Sequence, residues 1–487
     1  MLKIKDITFL IFLLFLFSTL YAQQDYKKWL KEEQKKFQEF KDARDKAFVE
    51  FLKKEWQAFE LFKGLVPDET PKPVNIPVTT TKEIPADIQS KKIKEIQLPK
   101  PPIIKESESI EKFISKFLKK EEPLTFSFFD VSLKVNYDKT ILKANLKNPI
   151  NEKQISDFWA DLSRTNYEDL LDQSKKLKEQ MKLNDWGYCL LLSNIGKGLY
   201  SNFENKIKLF VWFMLAKAGY DARVGYEKDE LFLLLPSKHV IYGTKYLDLD
   251  KRRYYVVTFN GERKKVRAVY TYDGSYPDAQ ELIGLNIKSS PVIGQVIADK
   301  KLKFRYGDEE FSVSLRVKKD VIDFYNNYPQ TDYKVYFDAS LSPEARYSLL
   351  QNLKPIIEGK SEAEAVNILL RFVQTAFEYK KDDIQFGREK PFFAEETLFY
   401  PYSDCEDRSV LFSYLVRNLI GLEVIGLDYP GHIATAVKFS TEIKGDIIKN
   451  NKKEYLVCDP TYINANIGQC MTRFKNVEPK VISIGIN

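Results

Sequence analysis

The sequence predicts an α+β fold. Two stretches, residues 150–260 and 340–470, each read as helix-period apolar patterns followed by strand-period ones. In the second, apolar residues recur at helical spacing from Ser409 to Leu419 and stop at Gly421. The alternating run Ile433-Ala434-Thr435-Ala436-Val437 and the strand-like Glu454-Tyr455-Leu456-Val457-Cys458 follow. At 487 residues the chain has room for two or three domains with an ample core.

Residues 1–22 read as a secretory signal: Lys3 and Lys5, then an apolar run from Ile7 to Phe17, then Leu20-Tyr21-Ala22 before cleavage. The run is short for a membrane span. An exported protein, periplasmic or extracellular, is expected. Four cysteines (Cys189, Cys405, Cys458, Cys470) do not make a disulfide scaffold. Whether Cys458 pairs with Cys470 stays open.

Residues 23–65 predict a long helix. Eleven-residue units begin at Gln23, Gln34, Asp45 and Trp56. Each carries one aromatic at its fourth position (Tyr26, Phe37, Phe48, Phe59) and another at its seventh (Trp29, Phe40, Phe51, Phe62). Eleven residues make about three turns, so both columns share a narrow face. Three readings fit that stripe: a homo-oligomer seam forming a slightly right-handed coiled coil, a dock on the same chain or on an envelope partner, and a membrane-lying face. The balanced charge between the aromatics argues against the last.

Residues 66–105, with eight prolines from Pro67 to Pro102, predict an extended, poorly ordered linker. A short amphipathic helix is expected near Ile110–Lys120, and strands between Phe126 and Leu146. Residues 106–265 read as a worn copy of the C-terminal region. Leu209–Gly219 matches Leu411–Gly421, and Tyr246–Asp250 matches Tyr455–Asp459. In this alignment Phe203 stands at Cys405 and Leu231 at His432, while Asp250 remains an Asp. Residues 266–335 are a β-rich connecting region, either a sandwich or edge sheets of both halves. Residues 336–487 form the domain that carries the chemistry.

That chemistry lies in three segments: Ser403-Asp404-Cys405-Glu406-Asp407-Arg408 before the helix, Tyr429-Pro430-Gly431-His432 before a strand, and Cys458-Asp459-Pro460-Thr461 after one. A thiol attacks as thiolate; an imidazole generates it, and a carboxylate fixes the imidazole's tautomer. The chain has only two histidines, so His432 has little competition as base. These segments, in this order, resemble the transglutaminase-like (papain-like) superfamily of cysteine enzymes over residues 340–470. The resemblance implies Cys405, His432 and Asp459 as the catalytic trio. The family often has Gly two residues before the Cys, where this chain has Ser403. The expected oxyanion donors are the Cys405 backbone N–H, then a hydroxyl of Tyr400 or Tyr402, which also count as substrate-binding candidates. Thiolate character is expected to depend on His432⁺, with Glu406 and Asp407 read chiefly as first-turn carboxylates complementing the helix dipole.

Attack by Cys405 on a carbonyl gives a thioester. Transfer to water makes a peptidase or amidase, the favoured reading, with a protein or peptide substrate. Transfer to an amine makes a crosslinking transglutaminase, and a non-catalytic envelope scaffold is the third alternative. Phe386–Tyr402 is the expected substrate-facing loop. A net charge of +7 with interspersed signs leaves no nucleic-acid footprint. No Cys/His cluster has metal-ligand spacing, so no metal or other cofactor is expected.

Overall fold

The computed structural model describes residues 32, 35, 38–39, 41–54, 56–66, 72, 77–79, 90–101, 123–259 and 266–485. The expected signal, the aromatics of the first two repeat units and the helix near Ile110–Lys120 lie outside the described residues. The architecture is mixed α+β, as expected. Among the described residues no helix is long and apolar enough to cross a membrane.

The strands, in chain order, are β1 (Trp56–Glu60), β2 (Leu124–Phe128), β3 (Val131–Val135), β4 (Arg223–Glu227), β5 (Glu230–Pro236), β6 (Tyr246–Leu249), β7 (Arg252–Val257), β8 (Ala268–Tyr272), β9 (Ile297–Tyr306) and β10 (Glu309–Lys318). The C-terminal half adds β11 (Glu378–Tyr379), β12 (Tyr402–Ser403), β13 (Glu423–Tyr429), β14 (His432–Lys438), β15 (Ile447–Asn450), β16 (Lys453–Cys458) and β17 (Lys480–Ser483).

In the first half, four helices (Glu152–Ser163, Tyr167–Gln180, Asp185–Tyr200 and Glu204–Lys217) accompany a six-stranded sheet of order β1-β8-β4-β5-β7-β6. Asn151 and Asn184 start two of them by accepting from the Gln154 and Gly187 amides, each at 3.0 Å. Glu204–Lys217 buries every residue from Leu209 to Ala216 and is the central helix, apolar all round.

The third repeat unit is helical through Leu52 and docks on this half. Phe48 is buried, with its ring 4.8 Å from Trp159 and 5.2 Å from Tyr276. This is the same-chain reading of the aromatic stripe, seen for that unit. The helix does not continue to residue 65. Trp56–Glu60 is a strand paired antiparallel with β8. The backbone pairing offered by the open edge of β8 outweighs a helical apolar spacing.

The second half packs the helices Pro343–Ile357, Glu362–Thr375 and Cys405–Leu415 with a sheet of order β15-β16-β14-β13-β17. The first sheet contains the matching order β6-β7-β5-β4-β8, antiparallel at every step. The registers correspond too. Glu227 faces Glu230 across a two-residue turn as Tyr429 faces His432, and Leu233 faces Val257 as Thr435 faces Cys458. This corrects the alignment read from sequence. By register Glu230 stands at His432 and Thr258 at Asp459, and by helix start Glu204 stands at Cys405. Asp250 lies instead in the β6–β7 turn, at a positive φ of 48°. Two neighbouring strands with similar apolar content were exchanged.

β8 belongs to the first sheet, so the expected boundary at residue 265 falls too early. β9 and β10 form one long hairpin lying on Pro343–Ile357 and Glu362–Thr375, not a sandwich. One continuous buried core spans both halves, from Phe48 to Ile482. The described residues of the expected linker are fastened down. Ile93 donates to Lys360 O at 3.1 Å, Glu362 to Lys91 O at 2.8 Å, and Ile96 is buried.

Candidate active site

Cys405 is the first residue of its helix, with Asp404 as the N-cap. Asp407, in the first turn, accepts from the Asp404 N–H (3.1 Å) and the Phe392 N–H (2.8 Å), which fixes the approach to the helix. Ser403 is a strand residue whose Oγ accepts from Arg408 Nε at 3.1 Å, so Ser at the usual Gly position serves as an anchor. The helix continues through a π turn, Val416–Ile420, to Gly421 at φ +77°, where the sequence placed its end.

His432 opens β14 after a turn that needs Gly431 at φ +69°. Its ring lies parallel to Phe474, with centroids 5.1 Å apart. Nε2 is 2.9 Å from Asp459 Oδ2. The other Asp459 oxygen accepts from the Thr461 and Tyr462 amides (2.9 and 3.2 Å), so the carboxylate is oriented before it meets the imidazole. Gln374, on the Glu362–Thr375 helix, holds that loop through Asp459 O (3.2 Å) and Tyr462 O (2.8 Å). An Nε2–H donating to Asp459 leaves Nδ1 as the basic nitrogen. Nδ1 is buried and has no hydrogen-bond partner.

Cys405 is 0% exposed. Its Sγ donates to Glu406 Oε2 at 3.1 Å, and no hydrogen bond joins it to His432. The Ile433 N–H, one residue beyond His432, faces the thiol, and Ser409 Oγ ties the helix to Ile433 O at 3.0 Å. The sheet therefore brings base and nucleophile to neighbouring positions without closing the contact. Burial, then the Glu406 charge, pushes the Cys405 thiol well above its usual range. One helix end works against this shift, but burial and the carboxylates flanking the sulfur outweigh it.

Glu406 is also more than a first-turn carboxylate. With Asp404 and Glu389 it holds the ammonium of Lys72, whose Nζ lies 2.8 Å from Asp404 Oδ2. Asp382 is buried alongside, pushed up to about 10 by burial and then by Asp404 and Asp407. Asp382, Glu389 and Glu406 offer oxygens close enough to share one cation. Nothing in the linker's composition singled out Lys72 among its lysines, and this contact was invisible in the sequence.

Neither the Tyr400 nor the Tyr402 hydroxyl is hydrogen-bonded to the sulfur. The Tyr400 hydroxyl donates to Asn326 Oδ1 at 3.2 Å, and Tyr402 lies under the Lys380 ammonium. Tyr333 and Tyr379 lie nearer to Cys405, and burial first of all pushes both phenols up. The expected substrate loop is largely core: Phe392 and Phe393 are buried, and Phe393 stacks on Tyr325 at 4.4 Å. All four cysteines are free. Cys458 and Cys470 belong to the cores on opposite faces of the sheet, which keeps them apart.

Compared with known protein families, curated proteins and solved structures, the chain gives no significant match.

Proposed function

We propose that this chain is a cysteine acyl-transfer enzyme of transglutaminase-like type, exported and latent as folded here, that hydrolyses peptide or amide bonds through a thioester on Cys405. The observation that supports it most is the buried His432 Nδ1. Its partner nitrogen is committed to an oriented Asp459, and it lies one residue from the peptide group facing the sulfur. A structural histidine in a dry core would be expected to satisfy both nitrogens. In the reaction His432 Nδ1 takes the thiol proton as Sγ attacks the carbonyl carbon. Collapse breaks the C–N bond, and the same proton leaves with the amine. Water, deprotonated by His432, then cleaves the thioester and restores the thiol.

In this reading the first half is a worn copy without nucleophile or base, kept as a platform. The non-catalytic scaffold is the second reading, favoured by the full burial of Cys405, which pushes its thiol upward. The deciding experiment incubates a proteome-derived peptide library with the wild-type chain and with Cys405→Ala, and sequences the products. New termini or deamidated side chains made only by the wild type support the enzyme. Identical product sets assign the chain to the scaffold class.

A further inference from the structure

We infer that Asp382, Glu389, Asp404 and Glu406 form an ammonium-binding subsite beside Cys405, that the substrate is an extended peptide presenting a lysine there, and that Lys72 fills the subsite as an intramolecular stand-in. This deepens the cysteine-enzyme reading and rests on it for the identity of the reacting centre.

Three carboxylates meet around one ammonium, and a fourth, Asp382, lies beside two of them. Asp382 comes from the Asp382–Phe386 helix, Glu389 from the loop after it, and Asp404 and Glu406 from the start of the nucleophile helix. Except for Glu389 at the rim, they are buried. Such a group is expensive to desolvate unless a cation enters it, and a primary ammonium has the donors to serve three acceptors at once. Asp404 Oδ1 is buried and still without a hydrogen-bond partner, although Oδ2 of the same carboxylate holds Lys72. The subsite thus has accepting capacity that the stand-in does not use.

Residues 77–79, a few residues after Lys72, pair with the C-terminal half as an added strand would. Ile463 donates to Pro77 O at 3.1 Å, and Thr79 donates to Ile463 O at 3.0 Å, a parallel bridge centred on Val78 four residues beyond Asp459. Backbone addition of an extended segment, with one side chain in a matched pocket, is how peptides are read by a sheet rim. Lys72 at Asp404 and Val78 at Ile463 therefore bracket the catalytic trio from both sides.

The test is fluorescence anisotropy with a labelled peptide of residues 67–77 and its twin carrying norleucine in place of lysine, titrated against the full chain with Lys72→Ala. Binding of the lysine peptide at least about tenfold tighter than the norleucine twin is expected. Little binding of either by the wild type, whose subsite is filled, is expected beside it. Glu389→Gln added to the Lys72→Ala chain, a change at the partly exposed rim, gives a second handle and should weaken the lysine peptide while leaving the norleucine twin unchanged. Equal binding of both peptides, or of neither, overturns the inference. So does calcium binding by the Lys72→Ala chain without any preference for lysine. Binding is read without turnover. A lysine preference in a chain whose Cys405 proves inert would sink the catalytic reading and leave the subsite standing, and the reverse result would do the opposite.

Discussion

The two halves share a strand order and differ in what stands at the same three places. In the first half these are Glu204, Glu230 and Thr258, and they line an open cavity of about 960 Å³ with Phe203 and Phe259. In the second half they are Cys405, His432 and Asp459, all buried, with the Lys72 ammonium on Asp404 beside Cys405. The scaffold needs only apolar faces on its helices and strands, and those tolerate wide change. The site needs particular polar groups at strand and helix ends. It also needs the stretch from Lys380 to Ser403, which supplies Asp382 and Glu389 and which the first half lacks.

The largest contrast should appear in activity. On a substrate found by the peptide screen, His432→Ala should lower the rate by about 10²–10⁴-fold, while Glu230→Ala at the matching register should leave it unchanged, as read from initial rates. Equal effects of the two changes would break the assignment of roles to the halves.

Stability should show no such contrast. Trp212 and Phe412 are fully buried on the matching central helices. Truncating either to Ala should cost about 3–5 kcal/mol in urea unfolding. A much smaller cost in one half would mean that half is loosely packed.

Buried charge distinguishes the halves in another way. Lys217 is lowered to about 8 by burial, against which the Asp45 charge works. A lysine depressed in the folded state binds fewer protons there than when unfolded. Its penalty is full below pH 8, and stability should rise between about pH 8 and the ordinary lysine value near 10.5, by about 3 kcal/mol at most. Urea midpoints across that window check the slope, and Lys217→Met should flatten it.

The smallest expected effect separates register from sequence alignment. Asp250 is 60% exposed with Arg223 at 3.7 Å, so Asp250→Asn should change stability by less than about 0.5 kcal/mol and leave activity untouched. Asp459→Asn should abolish most activity. A loss from Asp250→Asn would restore the alignment that the strand register replaces.

These contrasts also mark how far the sequence could be read. The Cys405 helix, β14 and Asp459 just after β16 were legible because the helix carries its own period and its stop at Gly421, and the two strands their own strand-like runs. β1 was not legible, since Trp56 and Phe59 satisfy a helical spacing and only the waiting edge of β8 makes them a strand. The burial of Phe392 and Phe393 was equally hidden, because an aromatic run looks the same as loop or core. The upward push on the Cys405 thiol could not be foreseen, because its first cause is burial, which the segment around Cys405 does not display; Glu406 adds to it and Lys72, far away in sequence, works against it.

The central claim is that Cys405 is a nucleophile held in reserve rather than one more buried thiol. Iodoacetamide labelling rates from pH 6 to 9, assigned to sites by mass spectrometry, test it with Cys189 and Cys458 as equally buried controls. The account predicts slow labelling of Cys405 in the resting wild type, and in the Lys72→Ala chain, whose subsite is vacated, labelling at least about tenfold faster than either control at pH 7, an advantage that His432→Ala removes. Labelling of all three at one slow rate in the Lys72→Ala chain, indifferent to His432, would contradict it and make Cys405 a structural residue.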